Sequence, residues 1–196
     1  MLVTPIAITQ VWLLGALSLA FFAFLFRTMA RRQREMGGRR ATSSRVGIIV
    51  QGLGMGLVGP GIVRPTLSWS SLPAIAGCIA VLLLVGGAVM LFASSSTALG
   101  KNWSFEARTR SDHELIRGGP YAYVRHPIYL GMMLYMLGWA AALGHWANLI
   151  VAMPLFLIGT RMRTAAEDRL LEASFGPDFI AYRNSTPALF PRLARQ

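Results

Sequence analysis

The chain has 196 residues and a formal net charge of +11, yet only 14% of its residues are charged and 54% are hydrophobic. A basic nucleic-acid-binding protein would be rich in charge, and a disordered chain would be poor in apolar residues, so the composition excludes both classes. The single cysteine, Cys78, excludes an internal disulfide and any cysteine-based metal cluster, and we expect no metal. These figures are typical of a small integral membrane protein.

Charge-free stretches define the predicted helices. A bilayer core of roughly 30 Å is crossed by about 20 helical residues, so each long stretch without Asp, Glu, Lys or Arg can hold a crossing. The last such stretch, 126–160, is too long for one helix, and Gly144-His145-Trp146 interrupts it, which predicts a tight helical hairpin. The predicted crossings are 5–26, 46–63, 73–93, 127–143 and 147–160.

The predicted fold is therefore all-α: an integral membrane protein with five transmembrane helices, the last two a tight hairpin, followed by cytoplasmic C-terminal helices. Phe175-Gly176 is a helix stop and Pro177 a new helix start. Phe179, Ile180 and Tyr182 then predict a short amphipathic helix on the membrane surface. We expect residues 1–99 to form three N-terminal transmembrane helices and residues 100–196 to form the catalytic region.

Basic residues predict the orientation. Seven lie in 27–45, five in 101–125 and six in 161–195, whereas only Arg64 lies on the other side of the predicted membrane. The positive-inside rule makes the basic side cytoplasmic. The first helix has no basic residue before it, so we expect it to be uncleaved, with the N-terminus outside and the C-terminus inside.

A glycine-rich run lies in the second predicted helix. Gly54, Gly56 and Gly59 formally match G-x-G-x-x-G, but the strand and βαβ unit of a dinucleotide site are missing from the sequence pattern. The same run contains Gly52-x-x-x-Gly56, a spacing that lets transmembrane helices approach closely. We therefore predict a helix-packing role for Gly52 and Gly56.

His126-Pro127 marks the start of the fourth helix. Proline suits the first helical position and keeps His126 outside the helix, so the imidazole and the free helix N–H groups can face one pocket that favours an anionic group. The alternative is a histidine that only caps the helix at the interface. Arg163 and Glu167, four residues apart, share a face of the fifth helix; the alternative here is a surface ion pair worth about 0.3–0.5 kcal/mol.

Two ordered motifs carry a family resemblance. Gly119-Pro120-Tyr121…Arg125-His126-Pro127-Ile128-Tyr129 resembles the R-H-P-x-Y signature of the isoprenylcysteine carboxyl methyltransferase family. Arg163…Glu167-Asp168 resembles that family's R-x-x-x-E-E motif, with Asp168 in place of the second Glu. The likeness spans about 90 residues, from Gly100 to Pro191, and the five-helix pattern is similar to the small prokaryotic members.

The resemblance implies methyl transfer from S-adenosylmethionine to a carboxyl group of a prenylated or lipid-like acceptor. The site would face the cytoplasm from a prokaryotic cytoplasmic membrane. Arg163 would bind the acceptor carboxylate and act in catalysis together with Glu167. The other partners would be membrane lipids, with no nucleic acid. The residues that the resemblance implies for cofactor binding are His113, Glu114, Leu115, Ile116, Tyr121, His126, Pro127, Ile128, Tyr129 and Glu167.

Three other functions stay open at this point. A phospholipid or amine N-methyltransferase would keep the cofactor but need a base, such as His126 or Glu167. An NADPH-dependent membrane reductase of related fold would need a site for nucleotide phosphates. A packing or scaffold protein would bind no cofactor and would leave the polar cluster without a role.

Overall fold

The computed structural model describes residues 4–30, 39–40, 42–100, 108–109 and 114–191. Within these ranges the regular secondary structure is helical, apart from an antiparallel pair of two-residue strands, β1 (Arg39–Arg40) and β2 (Arg108–Thr109). The predicted all-α class is therefore confirmed for the described residues. The helices are α1 (Ile8–Ala30), α2 (Thr42–Gly56), α3 (Leu72–Leu99), α4 (Pro127–Leu143), α5 (Leu149–Phe175) and α6 (Pro177–Ser185).

Three of the described helical segments are long and apolar enough to cross a membrane: Ile8–Thr28, Leu72–Leu99 and Trp146–Phe175. α4 is apolar but has only 17 residues, and α2 has 15. These lengths agree with an integral membrane protein. The number of five crossings stays a prediction for α2 and α4, which are shorter than the roughly 20 residues that span a bilayer without thinning it.

α4 lies against α3 at an irregular turn. α3 runs as an α-helix to Val81, widens into a π-helical stretch over Leu82–Gly86 and continues as an α-helix from Gly87. A Cβ atom on Gly138 of α4 would collide with the Val85 side chain in this stretch. The absent side chain therefore lets α4 cross α3 in close contact.

α2 packs along α5 through glycines other than the predicted pair. A Cβ on Gly54 would lie 2.6 Å from the Phe156 backbone nitrogen, and one on Gly47 would lie 2.7 Å from Arg163 Cγ. Gly52 and Gly56 face open space instead, so the prediction that they mediate packing is wrong. Gly47 and Gly54 are seven residues apart, about two helical turns, and therefore share one face of α2.

The turn between α4 and α5 is tight, but the two helices do not pack mainly on each other. α4 begins at Pro127 and ends at Leu143 as predicted, and Gly144 adopts φ 72°, which favours glycine. α5 then packs along α2, and α4 packs along α3. The predicted hairpin is thus correct for the connection and wrong for the packing.

The boundaries of other helices also differ from the prediction. α2 ends at Gly56, before Pro60, although the prediction extended it to residue 63. α3 continues to Leu99, beyond the predicted residue 93, because no helix-breaking residue lies before Gly100. α5, in contrast, continues past the end of the charge-free stretch and ends at Phe175, at the predicted helix stop.

α6 corrects the prediction of a membrane-surface helix. It begins at Pro177, right after Gly176, as predicted. However, Phe179 is fully buried and Tyr182 is 6% exposed, so both aromatic side chains pack inside the protein, and only Ile180 of the three predicted residues is exposed. An apolar helix face fits the protein interior as well as lipid, so the sequence of α6 alone does not distinguish between them.

Candidate active site

Two helices bring the predicted polar residues together. His126 lies directly before α4, with Pro127 in the first turn, so the histidine is outside the helix, with φ −126° and ψ 61°. Arg163, Glu167 and Asp168 lie in the C-terminal half of α5. The start of α4 and this half of α5 therefore form one polar cluster at one end of the helices.

His126 lies between two carboxylates of α5. It is 5% exposed, and its Nε2 lies 3.0 Å from Asp168 Oδ1. Its Nδ1 lies 3.3 Å from Glu167 Oε2. Burial alone would lower the pKa of His126, but hydrogen bonds to Asp168 and Glu167 outweigh burial and raise the pKa above its ordinary value. The anionic group predicted to face His126 is thus supplied by the protein itself.

Asp168 connects His126 to Arg125. Arg125 donates a hydrogen bond of 3.0 Å to Asp168 Oδ2, and the two side chains are 10% and 19% exposed. Such a charge-assisted hydrogen bond holds both residues at a fixed distance. The sequence predicts no role for Asp168 beyond its motif position, whereas in the structure Asp168 lies between Arg125 and His126 and contacts both.

The segment that follows α6 hydrogen-bonds to Arg125 and His126. Arg125 Nη1 donates to the carbonyl oxygens of Arg183, at 3.1 Å, and Thr186. The backbone N–H of Arg125 donates to Pro187 O at 2.8 Å, and that of His126 donates to Ala188 O at 2.9 Å. Residues 186–188 are therefore bound along the backbone of the Arg125-His126 motif.

Tyr129 lies where Arg163 and Glu167 converge. Its hydroxyl donates a hydrogen bond to Glu167 Oε1. The Arg163 guanidinium carbon lies 4.7 Å from the centre of the Tyr129 ring, a cation–π distance. One aromatic side chain thus orients both predicted catalytic residues.

Gln51 of α2 is a site residue that sequence reasoning missed. Arg163 is 8% exposed and donates a 2.7 Å hydrogen bond to Gln51 Oε1. Gln51 in turn donates to Thr160 Oγ1 at 2.7 Å, and both of these residues are buried. A glutamine within an otherwise apolar stretch was the available signal, because buried polar groups in such helices require partners.

Tyr121 connects the cluster to α6. It lies in a 3₁₀ turn, Gly119–Ala122, and its carbonyl accepts a 2.6 Å hydrogen bond from the Tyr182 hydroxyl. Burial raises the pKa of Tyr121, and the negative charge of Glu167 raises it further. Burial also raises the pKa of Tyr182, to about 12. Both phenols therefore stay protonated at neutral pH.

The structure brings some of the predicted site residues together and leaves others untested. Tyr121, His126, Tyr129, Arg163 and Glu167 form the cluster, while Pro127 is buried and Ile128 is half-buried. Glu114 is exposed, and Leu115 and Ile116 are half-buried in the segment before the 3₁₀ turn, so their cofactor role stays a prediction. His113 lies outside the described residues.

The side chains of the cluster differ in their exposed fractions. The His126 side chain is 4% exposed and Asp168 19%, whereas Glu167 is 27% exposed. Glu167 is therefore the more exposed of the two carboxylates; Tyr129 and His126 hold it, while Arg125 and His126 hold Asp168. The charges of Glu167 and Arg163 are complementary to a ligand that carries both a cationic group and a carboxylate.

The family model described as "Phospholipid methyltransferase" matches residues 75–178, more than half of the chain, and the chain belongs to this family. The match includes α3 from residue 75 and all of α4 and α5, and therefore every α4 and α5 residue of the cluster. Membership of a methyltransferase family, predicted from the two motifs, is confirmed.

Curated relatives include two yeast enzymes and a bacterial protein. The chain is 29% identical over 103 residues to protein-S-isoprenylcysteine O-methyltransferase of Schizosaccharomyces pombe, covering 52% of the chain and 44% of the relative. It is 27% identical over 124 residues to the Saccharomyces cerevisiae protein of the same name, covering 62% and 50%. Cobalt-zinc-cadmium resistance protein CzcN of Cupriavidus metallidurans is 35% identical over 117 residues, covering 59% and 52%. The chain spans about half the length of these relatives.

Proposed function

We propose that the protein is an S-adenosylmethionine-dependent membrane methyltransferase that methylates a carboxyl group of a prenylated or lipid-like acceptor. The observation that carries this proposal is the convergence of Arg163 and Glu167 on Tyr129, a cationic and an anionic group oriented by one ring. The names of the two yeast relatives support the carboxyl acceptor.

The residues present fit the cofactor. S-adenosylmethionine carries a sulfonium, an ammonium and a carboxylate, and it supplies an activated methyl group when bound. The partly exposed carboxylate of Glu167 suits the cationic groups, and Tyr129 keeps that carboxylate oriented. His126 and Asp168 support Glu167 from the buried side of the cluster.

Arg163 is suited to orient the acceptor. Its guanidinium is always charged and can bind a carboxylate through two parallel hydrogen bonds. A carboxylate is already a nucleophile at neutral pH, so the reaction needs no general base. The protein's contribution is to align acceptor and donor and to exclude water.

N-methylation of an amine on a phospholipid is the second candidate, because the matching family is described as phospholipid methyltransferases. An amine must lose a proton before it attacks, so this reaction needs a base. Both ring nitrogens of His126 lie beside carboxylates, which favour the protonated imidazole, and a protonated imidazole cannot act as a base. Glu167 would therefore be the base of that mechanism. A rate that rises with pH would favour the amine acceptor.

We also propose five membrane crossings, with the N-terminus outside and the cluster on the cytoplasmic side. This orientation follows from the basic residues and places the cluster where a water-borne cofactor meets a lipid acceptor. A crossing by α2 and α4 requires local thinning of the bilayer or burial of their ends in protein.

The test supplies methyl-labelled S-adenosylmethionine to detergent-purified protein together with a farnesylcysteine analogue, a fatty acid or an aminophospholipid. We expect a labelled methyl ester on the farnesylcysteine analogue. Glu167→Gln should lower cofactor affinity by about tenfold or more, because a charge-assisted contact is lost. Glu172→Gln is the matched control: its partner Arg183 is 37% exposed, so the change should stay within about twofold.

Two results would contradict the proposal. One is preferential binding of NADPH over S-adenosylmethionine in a titration of the purified protein, which would indicate the reductase alternative. The other is a Glu167→Gln protein that is folded and matches the wild type in both cofactor affinity and turnover.

A further inference from the structure

Three buried polar side chains form a chain of hydrogen bonds between α2 and α5. Thr160 is fully buried, Gln51 is 1% exposed and Arg163 is 8% exposed. Gln51 lies in the middle, with one 2.7 Å hydrogen bond to each neighbour. No residue of α2 belongs to the motifs that define the family resemblance, so this contact comes from a separate part of the chain.

The chemistry of the neighbours fixes the orientation of the Gln51 amide. A guanidinium has only donors, so the amide atom that faces Arg163 must be the oxygen. The amide nitrogen then faces Thr160, whose hydroxyl accepts. Thr160 therefore keeps the carbonyl oxygen of Gln51 directed at Arg163.

The aliphatic stem of Arg163 is confined as well. Gly47, one turn before Gln51 on α2, lies so close that a Cβ there would be 2.7 Å from Arg163 Cγ. Tyr129 packs against the guanidinium from α4. Contacts from α2 and α4 thus hold both the stem and the head of Arg163.

Gln51 is also a neutral partner. A carboxylate at this position would hold Arg163 equally well but would neutralise part of its charge and compete with an incoming carboxylate. An amide orients the guanidinium through one N–H and adds no negative charge of its own. Gln51 therefore orients Arg163 without competing with an incoming carboxylate.

We propose that Gln51, oriented by Thr160, is a positioning residue that makes Arg163 selective for an acceptor carboxylate. The inference rests on the proposed function, in which Arg163 binds that carboxylate, and adds a specificity determinant on α2. It predicts that loss of the Gln51 amide weakens binding of a charged acceptor while a neutral acceptor analogue binds as before.

The experiment measures equilibrium binding of N-acetyl-S-farnesylcysteine and of its methyl ester to the detergent-purified full chain. The ratio of the two dissociation constants reports carboxylate selectivity without requiring turnover. We expect the wild type to prefer the carboxylate, and Gln51→Leu to reduce that preference by about tenfold, since an oriented charge-assisted contact is lost.

Gln10→Leu is the matched control, because Gln10 is another buried glutamine, 4% exposed, with hydrogen bonds of its side chain to Ala7 N and Ala141 O. It lies in α1, away from Arg163. The substitution should lower the melting temperature and leave carboxylate selectivity unchanged. A selectivity loss of equal size in both variants would reveal a merely structural effect and overturn the inference.

Two further variants keep the test decisive if Gln51→Leu does not fold. Thr160→Val removes the acceptor for the Gln51 amide with little change of shape and should reduce selectivity in the same direction. Gln51→Glu should reduce selectivity although it retains a partner for Arg163. Unchanged selectivity in the folded variants would refute the role of Gln51, whereas a wild type without carboxylate preference would refute the proposed acceptor itself.

Discussion

His126 shows how single residues set the charge of the cluster. It faces Asp168 and Glu167 from α5, and its ring lies 5.8 Å from that of Tyr129. Two positive charges also lie in the cluster: Arg125 pairs with Asp168, and the Arg163 guanidinium lies over the Tyr129 ring. The hydrogen bonds to the carboxylates nonetheless outweigh burial, so the pKa of His126 is raised and its charged form is favoured.

A raised pKa in the folded state predicts a direction for stability against pH. The charged imidazole stabilises the fold fully below the unfolded pKa of about 6.5, and this contribution disappears as pH rises through the higher folded pKa. The melting temperature of the wild type, relative to His126→Asn, should therefore fall as pH rises over a series from about pH 5 to pH 9. Thermal unfolding of both proteins in detergent measures it.

Asp168→Asn provides the comparison for that series. It removes one of the two carboxylates that favour the charged imidazole, so the pH dependence of the melting temperature should become shallower. A difference between wild type and His126→Asn that grows with pH would mean that burial, not the carboxylates, dominates at this histidine.

At the scale of helices, the contact between α2 and α5 positions Gln51 against Arg163. Gly54 of α2 lies on the Phe156 backbone, and on α5 Gly159 lies against the Gln51 backbone. Close backbone approach at small residues is the ordinary mode of helix packing in membranes. The same approach brings a short amide side chain within reach of an arginine on the neighbouring helix.

Gly54→Ala should therefore destabilise the protein. The new methyl group would lie 2.6 Å from a backbone nitrogen, which cannot move without shifting α5, and such overpacking costs about 1–3 kcal/mol. Gly52→Ala is the matched control: its methyl group would meet open space, and alanine favours a helix by up to about 1 kcal/mol. The free energy of unfolding in detergent should fall for the first variant only.

The reverse order of stability would mean that α2 packs through Gly52, as the sequence spacing predicted. That spacing failed because α2 is apolar around much of its circumference, and a pattern of small residues does not show which side meets another helix. α4, in contrast, was predicted to the residue, because Pro127 and Gly144 are local signals that need no tertiary contact.

The same distinction separates the predictable from the unpredictable part of the site. His126, Tyr129, Arg163 and Glu167 were identifiable because they lie in two short motifs with fixed spacing. Gln51 was not, because its role arises from a contact with a residue more than a hundred positions away. The pairing of residues 186–188 with Arg125 and His126 is equally long-range and follows no local pattern.

At the scale of the whole molecule, the connections between helices gather at two ends. At one end Thr4 N–H donates to Gly144 O, and His145, 2% exposed, lies 3.1 Å from Val58 O. Ile6 N–H donates to Arg64 O, so the N-terminal segment also meets the α2–α3 connection. At the other end β1 pairs with β2, which joins the α1–α2 and α3–α4 connections. Alternate connections thus share an end, which is the arrangement that the proposed five crossings predict.

Together with the proposed orientation, this arrangement predicts which positions water-soluble reagents reach from outside the cell. In a Cys78→Ser background, Trp146→Cys places a thiol in the α4–α5 connection at a residue that is 44% exposed. Asp178→Cys places one at the start of α6, where the side chain is 80% exposed. A membrane-impermeant maleimide added to intact cells should label the first variant, and it should label the second only after permeabilisation. Because both positions are exposed, a difference in labelling between them reports the side of the membrane rather than burial. Labelling of Asp178→Cys in intact cells would place the candidate active site outside and contradict the orientation derived from the basic residues.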